Sequence, residues 1–231
     1  MKKIVLALTA VLAFTSCEKN PPVEGPKESI ITGLISEDVT WYSDTIYEMA
    51  GKVVVGEGAT LTIQPGTLIK ARDGQGSLST ALIVARNGKI DAQGTVDSPI
   101  VFTSIYDTGN NLDETDQGLW GGIVVLGNAP ISADATPANI EGVPVNDEFG
   151  LYGGDDQMDN SGTLRYVSIR HAGTLLGDGN ELNGLTLGGV GRATTIDHIE
   201  VVGNLDDGIE FFGGCVNASN LLVWAQGDDA F

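Results

Sequence analysis

Apolar and polar residues alternate along short segments of this chain, with a period of two. Ile199 and Val201 flank Glu200, and Ile209 and Phe211 flank a second glutamate. This period is typical of β-strands, whose successive side chains point to opposite faces of a sheet. Glycine-containing stretches separate the segments. The pattern therefore predicts short strands joined at glycine corners, with one face of each strand in a core and the other in solvent.

The alternating segments also repeat along the chain. His198–Ile209 aligns without a gap on Asn220–Phe231 at an offset of 22 residues. Other pairs align at offsets of 29 (Leu61 on Ile90), 32 (Tyr166 on His198) and 24 (Gly184 on Gly208). A repeat length in this range indicates a repeat architecture, in which short strands form one turn of a coil per repeat. We therefore predict an all-β fold, a single-stranded parallel β-helix over residues 30–231.

The N-terminal segment follows a different pattern. Met1-Lys2-Lys3 precedes an apolar run, Ile4–Phe14, which is too short to span a bilayer. We interpret residues 1–16 as a signal peptide. Thr15-Ser16-Cys17 resembles a bacterial lipobox, which implies cleavage before Cys17 and lipidation of this residue; the alternative is ordinary secretion with a chance cysteine. Residues 17–29, rich in proline and charge, are predicted to form a flexible tether.

Three segments interrupt the repeat and are predicted to be loop insertions. They cover residues 73–80, 105–118 and 129–160, and the last is the longest irregular region. Long loops on a regular scaffold often carry binding residues, so Asp155 and Asp156 are candidate ligand-binding residues. The sequence stops at Phe231 in the middle of a predicted strand, without the polar cap that a solenoid needs. We therefore predict that the coil is truncated at its C-terminus.

The charge balance narrows the possible partners. The chain has 12 Lys+Arg against 31 Asp+Glu, and a formal net charge of −19. A nucleic-acid partner is excluded, because phosphate contacts need a basic surface. An acidic surface fits a secreted or surface protein, or one that binds cations, and it also fits solubility alone.

Paired aspartates recur one repeat apart, since Asp206-Asp207 aligns on Asp228-Asp229. Successive coil turns lie about 4.8 Å apart, so these carboxylates would repel one another unless a proton or a cation compensates. A shared proton would suit acid–base chemistry on a glycosidic bond. A shared cation would make a Ca²⁺ site of Asp206, Asp207, Asp228 and Asp229. The third interpretation is that each Asp-Asp pair only accepts backbone N–H groups at a corner.

Four segments resemble a large group of lipoproteins from Bacteroidetes bacteria. They read GLWGGIVVLGNA (118–129), RYVSIRHAG (165–173), NGLTLGGVG (183–191) and NLDDGIEFFGG (204–214). The resemblance covers nearly the whole chain after the signal peptide. It implies a right-handed parallel β-helix of the pectate-lyase-like type, and an outer-membrane or cell-surface location. It implies little about activity.

A second resemblance is local and concerns the polygalacturonases, which are pectin-hydrolysing β-helix enzymes. Leu205–Ile209, followed one repeat later by Gly227–Asp229, is similar to the aspartate motifs of that family. The resemblance implies that Asp228 is the general acid and that Asp207 and Asp229 hold the attacking water. Leu205 and the following aspartate stand where that family has Asn-Thr.

Trp224 completes the set of candidate residues. It alternates with Val223, so the pattern predicts that its indole ring faces outward, where it could stack on a sugar ring; the alternative is that the ring packs under a loop. We expect a cell-envelope protein, anchored to the membrane only through its lipid, that binds glycans or partner proteins without catalysis. The alternative is a polysaccharide-degrading enzyme, a hydrolase or a lyase, that uses the stacked aspartates.

Overall fold

The structure is a computed structural model that describes residues 25–231 apart from 75, 77, 78, 178 and 179. The predicted signal peptide, residues 1–16, and the predicted lipidation site Cys17 lie outside the described residues. The first strand begins at Lys27, within the segment predicted as a tether. In the part of the chain that the structure describes, no helix is long and apolar enough to cross a membrane.

The described residues form short strands and very little helix. The strands are β1 (Lys27–Ile35), β2 (Val39–Trp41), β3 (Thr45–Val55), β4 (Thr60–Ile63), β5 (Leu68–Ala71), β6 (Ala81–Val84), β7 (Lys89–Gln93), β8 (Ile100–Ser104), β9 (Gly122–Leu126), β10 (Ala138–Asn139), β11 (Leu151–Tyr152), β12 (Gly162–Arg170), β13 (Leu175–Gly177), β14 (Asn180–Glu181), β15 (Leu185–Gly188), β16 (Thr195–Val202), β17 (Ile209–Phe212) and β18 (Asn217–Trp224). A 3-10 helix spans Glu148–Gly150.

Fourteen of the strands pair in parallel along three faces of one coil. Sheet I contains β2, β4, β7 and the first halves of β12, β16 and β18. Sheet II contains the first halves of β1 and β3, then β5, β8 and the second halves of β12, β16 and β18. Sheet III contains the second halves of β1 and β3, then β6, β9, β15 and β17. The predicted parallel β-helix is confirmed.

The repeat offsets read from the sequence are the pairing registers of the strands. The paired residues are Leu61 with Ile90, Val167 with Ile199, Leu185 with Ile209, and Ile199 with Leu221. The offsets of 29, 32, 24 and 22 are thus confirmed. They hold because a shift by one residue would turn the apolar side chains of a strand out of the core.

The core of the coil is filled by the inward-facing residues of all three sheets. Leu61, Ile90 and Ile123 are among the fully buried side chains. Two aromatic pairs add to this core, Trp41 stacked on Tyr47 and Phe102 stacked on Trp120. On β16 the buried core residues alternate with residues of the outer face, which are half-buried or exposed.

Residues at equivalent corners of successive coil turns share the left-handed backbone conformation. The corner between sheets I and II is made by Tyr166, His198 and Asn220, and the corner between sheets II and III by His171, Gly203 and Ala225. A single left-handed residue turns the chain sharply between two extended segments. The second corner matters for function, because both regions described below flank it.

A second, smaller core lies outside the coil, between sheet III and the 129–160 loop. Val124 and Leu126 of β9 face outward and pack with Ile140, Val143 and Tyr152 of the loop. This packing explains why every residue of β9 is buried, although an uncovered sheet would show alternation. The loop is also held by the ion pair between Lys52 and Asp147, and by the Arg86 guanidinium, which donates to the Gly153 carbonyl at 3.0 Å.

Candidate functional site

The outer face of sheet II forms the floor of an open groove across its last three strands. Arg170, Val202 and Trp224 lie side by side in register on β12, β16 and β18. Glu200 and Leu222 form a parallel row in the same strands. Because these residues alternate with the core residues of sheet II, their side chains all point away from the coil.

The 105–118 loop forms the wall of this groove. Its beginning is fixed where the Lys70 ammonium donates to the Asp107 carbonyl at 2.6 Å. Near its end, His171 Nδ1 lies 2.7 Å from the Asp116 carbonyl, and Gln117 Nε2 donates to the Ala225 carbonyl at 2.7 Å. The loop thus runs from the coil turn of β8 to that of β18. An added Cβ at Gly203 would lie 3.1 Å from the Glu114 carbonyl, so the wall touches the corner there.

The groove has a volume of about 360 Å³. It is lined by Leu112, Asp113, Glu114, Arg170, His171, Glu200, Val202, Leu222 and Trp224. Trp224 is 58% exposed, in the orientation predicted from the alternation with Val223. The other two tryptophans, Trp41 and Trp120, are buried in the core. Of the three tryptophans, Trp224 is therefore the one in a position to act as an aromatic platform.

Polar side chains are fixed beside this tryptophan. The Arg170 guanidinium donates from Nε to Ser168 Oγ at 2.9 Å, and its Nη2 lies 3.4 Å from Glu200 Oε2. Ser168 Oγ in turn donates to Glu200 Oε2. In the wall, the Thr115 hydroxyl and N–H donate to Asp113 Oδ1, and these bonds hold the pKa of Asp113 below its ordinary value. The groove therefore offers one aromatic face and a set of oriented charges.

The paired aspartates lie on the other side of the corner, in the connections from sheet II to sheet III. Oxygens of Asp206, Asp207 and Asp228 lie within 4.8 Å of one another. Asp207 Oδ1 also accepts the backbone N–H of Asp229 at 2.9 Å. The carboxylate of Asp229 is not part of the three-residue cluster. The structure thus brings the carboxylates of three of the four predicted aspartates together, whereas Asp229 contributes its backbone N–H, which donates to Asp207.

This cluster has the dimensions of a cation site as well as those of a hydrogen-bonded corner. Ca²⁺ bonds to oxygen at about 2.3–2.6 Å, so oxygens on opposite sides of one ion lie about 4.6–5.2 Å apart. The Asp207 bond to the next coil turn is the backbone-capping interaction of the third interpretation. Both uses involve the carboxylate of Asp207, and the geometry is compatible with either.

Glu210 is a neighbour of the aspartates that the sequence analysis missed. Burial raises the pKa of its carboxyl, and Asp207, Glu141 and Asp206 raise it further, while a hydrogen bond from Asn183 Nδ2 to Glu210 Oε2 at 2.6 Å opposes the shift. The signal available in the sequence was its position between Ile209 and Phe211, the apolar residues that it alternates with.

The remaining candidates lie in the 129–160 loop. Asp155 and Asp156 are both exposed, and Asp156 Oδ1 accepts the N–H of Met158 at 2.8 Å in a local turn. Neither residue lines the groove at Trp224. Asp159, which the sequence did not single out, is buried and accepts hydrogen bonds from Asn128, Ser161 and Gly191. It fastens the end of the loop to the coil.

Comparison with known proteins gives one match. No curated protein and no solved structure matches the chain. Residues 33–231 match the family described as the pectate-lyase like beta helix domain. This match covers every strand of the three sheets except the start of β1. Together with the three parallel sheets, it shows that the chain belongs to the pectate-lyase-like β-helix family.

Proposed function

We propose that this protein is a lipid-anchored protein of the cell envelope that binds glycans, without cleaving them, in the groove at Trp224. The observation that carries the proposal is the exposed indole of Trp224 on the floor of a walled groove. A large exposed aromatic ring offers an apolar face to the C–H surface of a sugar ring, while polar groups beside it can hydrogen-bond the hydroxyls.

The groups around Trp224 support this use of the groove. Arg170 and Glu200 lie on the neighbouring strands, with side chains about two-fifths exposed (41% and 36%), so they can reach a bound ligand. The ion pair and Ser168 hold both groups in place, which lowers the entropic cost of binding. The groove is open along the sheet, which suits a chain of sugars better than a single small molecule.

The location is part of the proposal. Residues 1–16 have the features of a signal peptide, and Cys17 follows small residues as in a lipobox. The resemblance to lipoproteins from Bacteroidetes supports an outer-membrane lipoprotein exposed at the cell surface. Such an anchor would hold the coil outside the cell, where it would meet polysaccharides or the surface proteins of other cells.

The experiment is a binding assay of the purified chain against a panel of oligosaccharides, followed by intrinsic tryptophan fluorescence and calorimetry. Trp224→Ala is expected to weaken binding at least tenfold, which equals about 1.4 kcal/mol. Tyr42→Ala is the matched control, because Tyr42 is also an exposed aromatic residue, at 52%, and lies outside the groove. Equal affinities for the wild type and Trp224→Ala would contradict the proposal, and binding of a protein instead of a glycan would redirect it.

A second candidate function is polysaccharide cleavage, by hydrolysis or by a lyase reaction, at the aspartate cluster. The observation in its favour is the approach of Asp206, Asp207 and Asp228 oxygens to within 4.8 Å of one another. Such carboxylates share either a proton, which supports acid–base catalysis, or a cation such as Ca²⁺. Release of reducing ends that Asp207→Asn and Asp228→Asn both abolish would establish catalysis. Stoichiometric Ca²⁺ binding lost in the same variants would establish a metal site.

A further inference from the structure

The charge of the groove at Trp224 bears on which glycans it accepts. Three carboxylates line it, Asp113, Glu114 and Glu200, against the single guanidinium of Arg170. With His171 neutral, the lining therefore carries a formal charge of −2. The whole chain adds to this field, since its net charge is −19. An anionic ligand would approach the groove against both the local and the overall potential.

Arg170 does not offer a free positive charge to such a ligand. Its Nη2 lies 3.4 Å from Glu200 Oε2, and its Nε donates to Ser168 Oγ. A carboxylate of the ligand would have to compete with Glu200 for the guanidinium. If it displaced Glu200, it would leave that carboxylate without its partner beside the new anion, so the exchange brings no net gain in ion pairing.

The negative charge of the groove wall comes from residues of the 105–118 loop itself. Asp113 Oδ1 accepts from both the N–H and the hydroxyl of Thr115, and the N–H of Asp113 donates to Asp116 Oδ2. These bonds fix the carboxylate of Asp113 at the wall and favour its charged form. His171 also lines the groove, but its side chain is buried, and its Nδ1 lies 2.7 Å from the Asp116 carbonyl.

We infer that the groove selects uncharged glycan chains and rejects polyuronates. This inference rests on the proposed glycan-binding function and names its ligand class. Trp224 supplies an apolar face that serves any pyranose ring, whereas Asp113, Glu114 and Glu200 penalise each carboxylate that a uronate chain brings. The hydroxyls of an uncharged sugar can donate to the same carboxylates, so groups that repel a uronate hydrogen-bond a neutral ring.

The test uses ligand pairs that differ only in charge. The uncharged oligosaccharide that the full chain binds best is compared with the same oligosaccharide oxidised at C6 to the uronate. A methyl-esterified oligogalacturonate is compared with its de-esterified form in the same way. All titrations contain EDTA, so that no divalent cation bridges two carboxylates. We expect each uronate to bind at least tenfold more weakly than its uncharged partner, with a smaller difference at high salt.

Two variants keep the hydrogen-bond acceptors and remove charge. Glu200→Gln and Asp113→Asn should each raise the ratio of the uronate affinity to the uncharged-partner affinity severalfold, because the repulsion of the uronate is removed while the hydrogen bonds to the uncharged sugar lose the strength that the charge gave them. Trp224-dependent binding that favours the uronate would overturn the inference and leave the proposed function intact. An absence of Trp224-dependent binding to any glycan, charged or uncharged, would overturn both. If neither charge variant changed the affinity for the uronate, the inference would be overturned and the proposed function would stand.

Discussion

Asp159 provides the sharpest test of how the 129–160 loop is held to the coil. Its side chain is buried, and the two oxygens accept four hydrogen bonds. Oδ1 accepts from the N–H and the Nδ2 of Asn128, at 3.0 and 3.1 Å. Oδ2 accepts from Ser161 Oγ at 3.1 Å and from the N–H of Gly191 at 3.3 Å. An added Cβ at Gly127 would overlap Asp159 Oδ2, and one at Gly191 would lie 2.5 Å from the backbone N and O of Asp159, so both glycines leave room for this residue.

The magnitude for Asp159→Asn follows from this arrangement. The amide oxygen can replace Oδ1 and accept both bonds from Asn128. The amide nitrogen then occupies the place of Oδ2, where Ser161 can turn its hydroxyl to accept but the N–H of Gly191 cannot. An unsatisfied buried donor costs about 1–3 kcal/mol, and the two bonds to Asn128 lose the strength that the charge gave them. We expect a total loss of about 2–4 kcal/mol in the free energy of unfolding.

The assay is urea denaturation followed by circular dichroism, with Asp155→Asn as the control. Asp155 is an exposed aspartate of the same loop. Its variant should stay within about 0.5 kcal/mol of the wild type, as surface substitutions usually do. Limited proteolysis adds a local measurement, because loss of Asp159 should expose the 129–160 loop before the coil unfolds. A stability of Asp159→Asn equal to that of the control, with unchanged proteolysis, would refute the reasoning.

Three further predictions concern charge and close packing. Glu210→Gln should stabilise the protein at pH 7, because the raised pKa of Glu210 means that its ionised form destabilises the fold. Unfolding curves measured over a pH series should show this gain vanish below pH 4.5, the ordinary pKa of a glutamate. Asp197→Asn should destabilise the protein at pH 7, because hydrogen bonds from Asn220, His198 and Ser219 lower the pKa of Asp197. This loss of stability should disappear as the pH falls from 3.8, the ordinary pKa of an aspartate, through the lowered pKa of Asp197. Gly162→Ala should cost about 3 kcal/mol, because an added Cβ would overlap the Ile90 carbonyl at a φ of +110°, and a thermal melt would show whether the strand tolerates it.

The coil could be predicted from the sequence because its signal is local and repeated. The alternation around Glu200 fixes which side chains enter the core, and the offset of 22 residues fixes which strands lie side by side. The offset also predicts that Asp206 and Asp207 lie close to Asp228, and the alternation predicts that Trp224 faces outward, as the structure has them. These features follow from the two-residue alternation of the strands and from the repeat of one coil turn, and both can be read without knowing how the loops fold.

The groove and the second core could not be predicted in this way. The wall of the groove comes from the 105–118 loop, which has no period and reaches past several coil turns to Ala225. Asp159 is one carboxylate among many in an acidic chain, and only the tertiary structure shows that backbone donors surround it. Ser168 and Glu200 could have been paired from the offset of 32, since they face each other across β12 and β16.

The two long loops have a consequence for how the coil responds to heat or force. In a simple solenoid each repeat contacts only its neighbours, so it can unravel from an end one repeat at a time. Here the 105–118 loop precedes β9 and the 129–160 loop follows it, so both extend from the same part of the coil. One loop reaches forward to Ala225 through Gln117, and the other reaches back to Lys52 through Asp147. These links between distant repeats extend the range of cooperativity, so the described coil should unfold as one block and resist unzipping from either end.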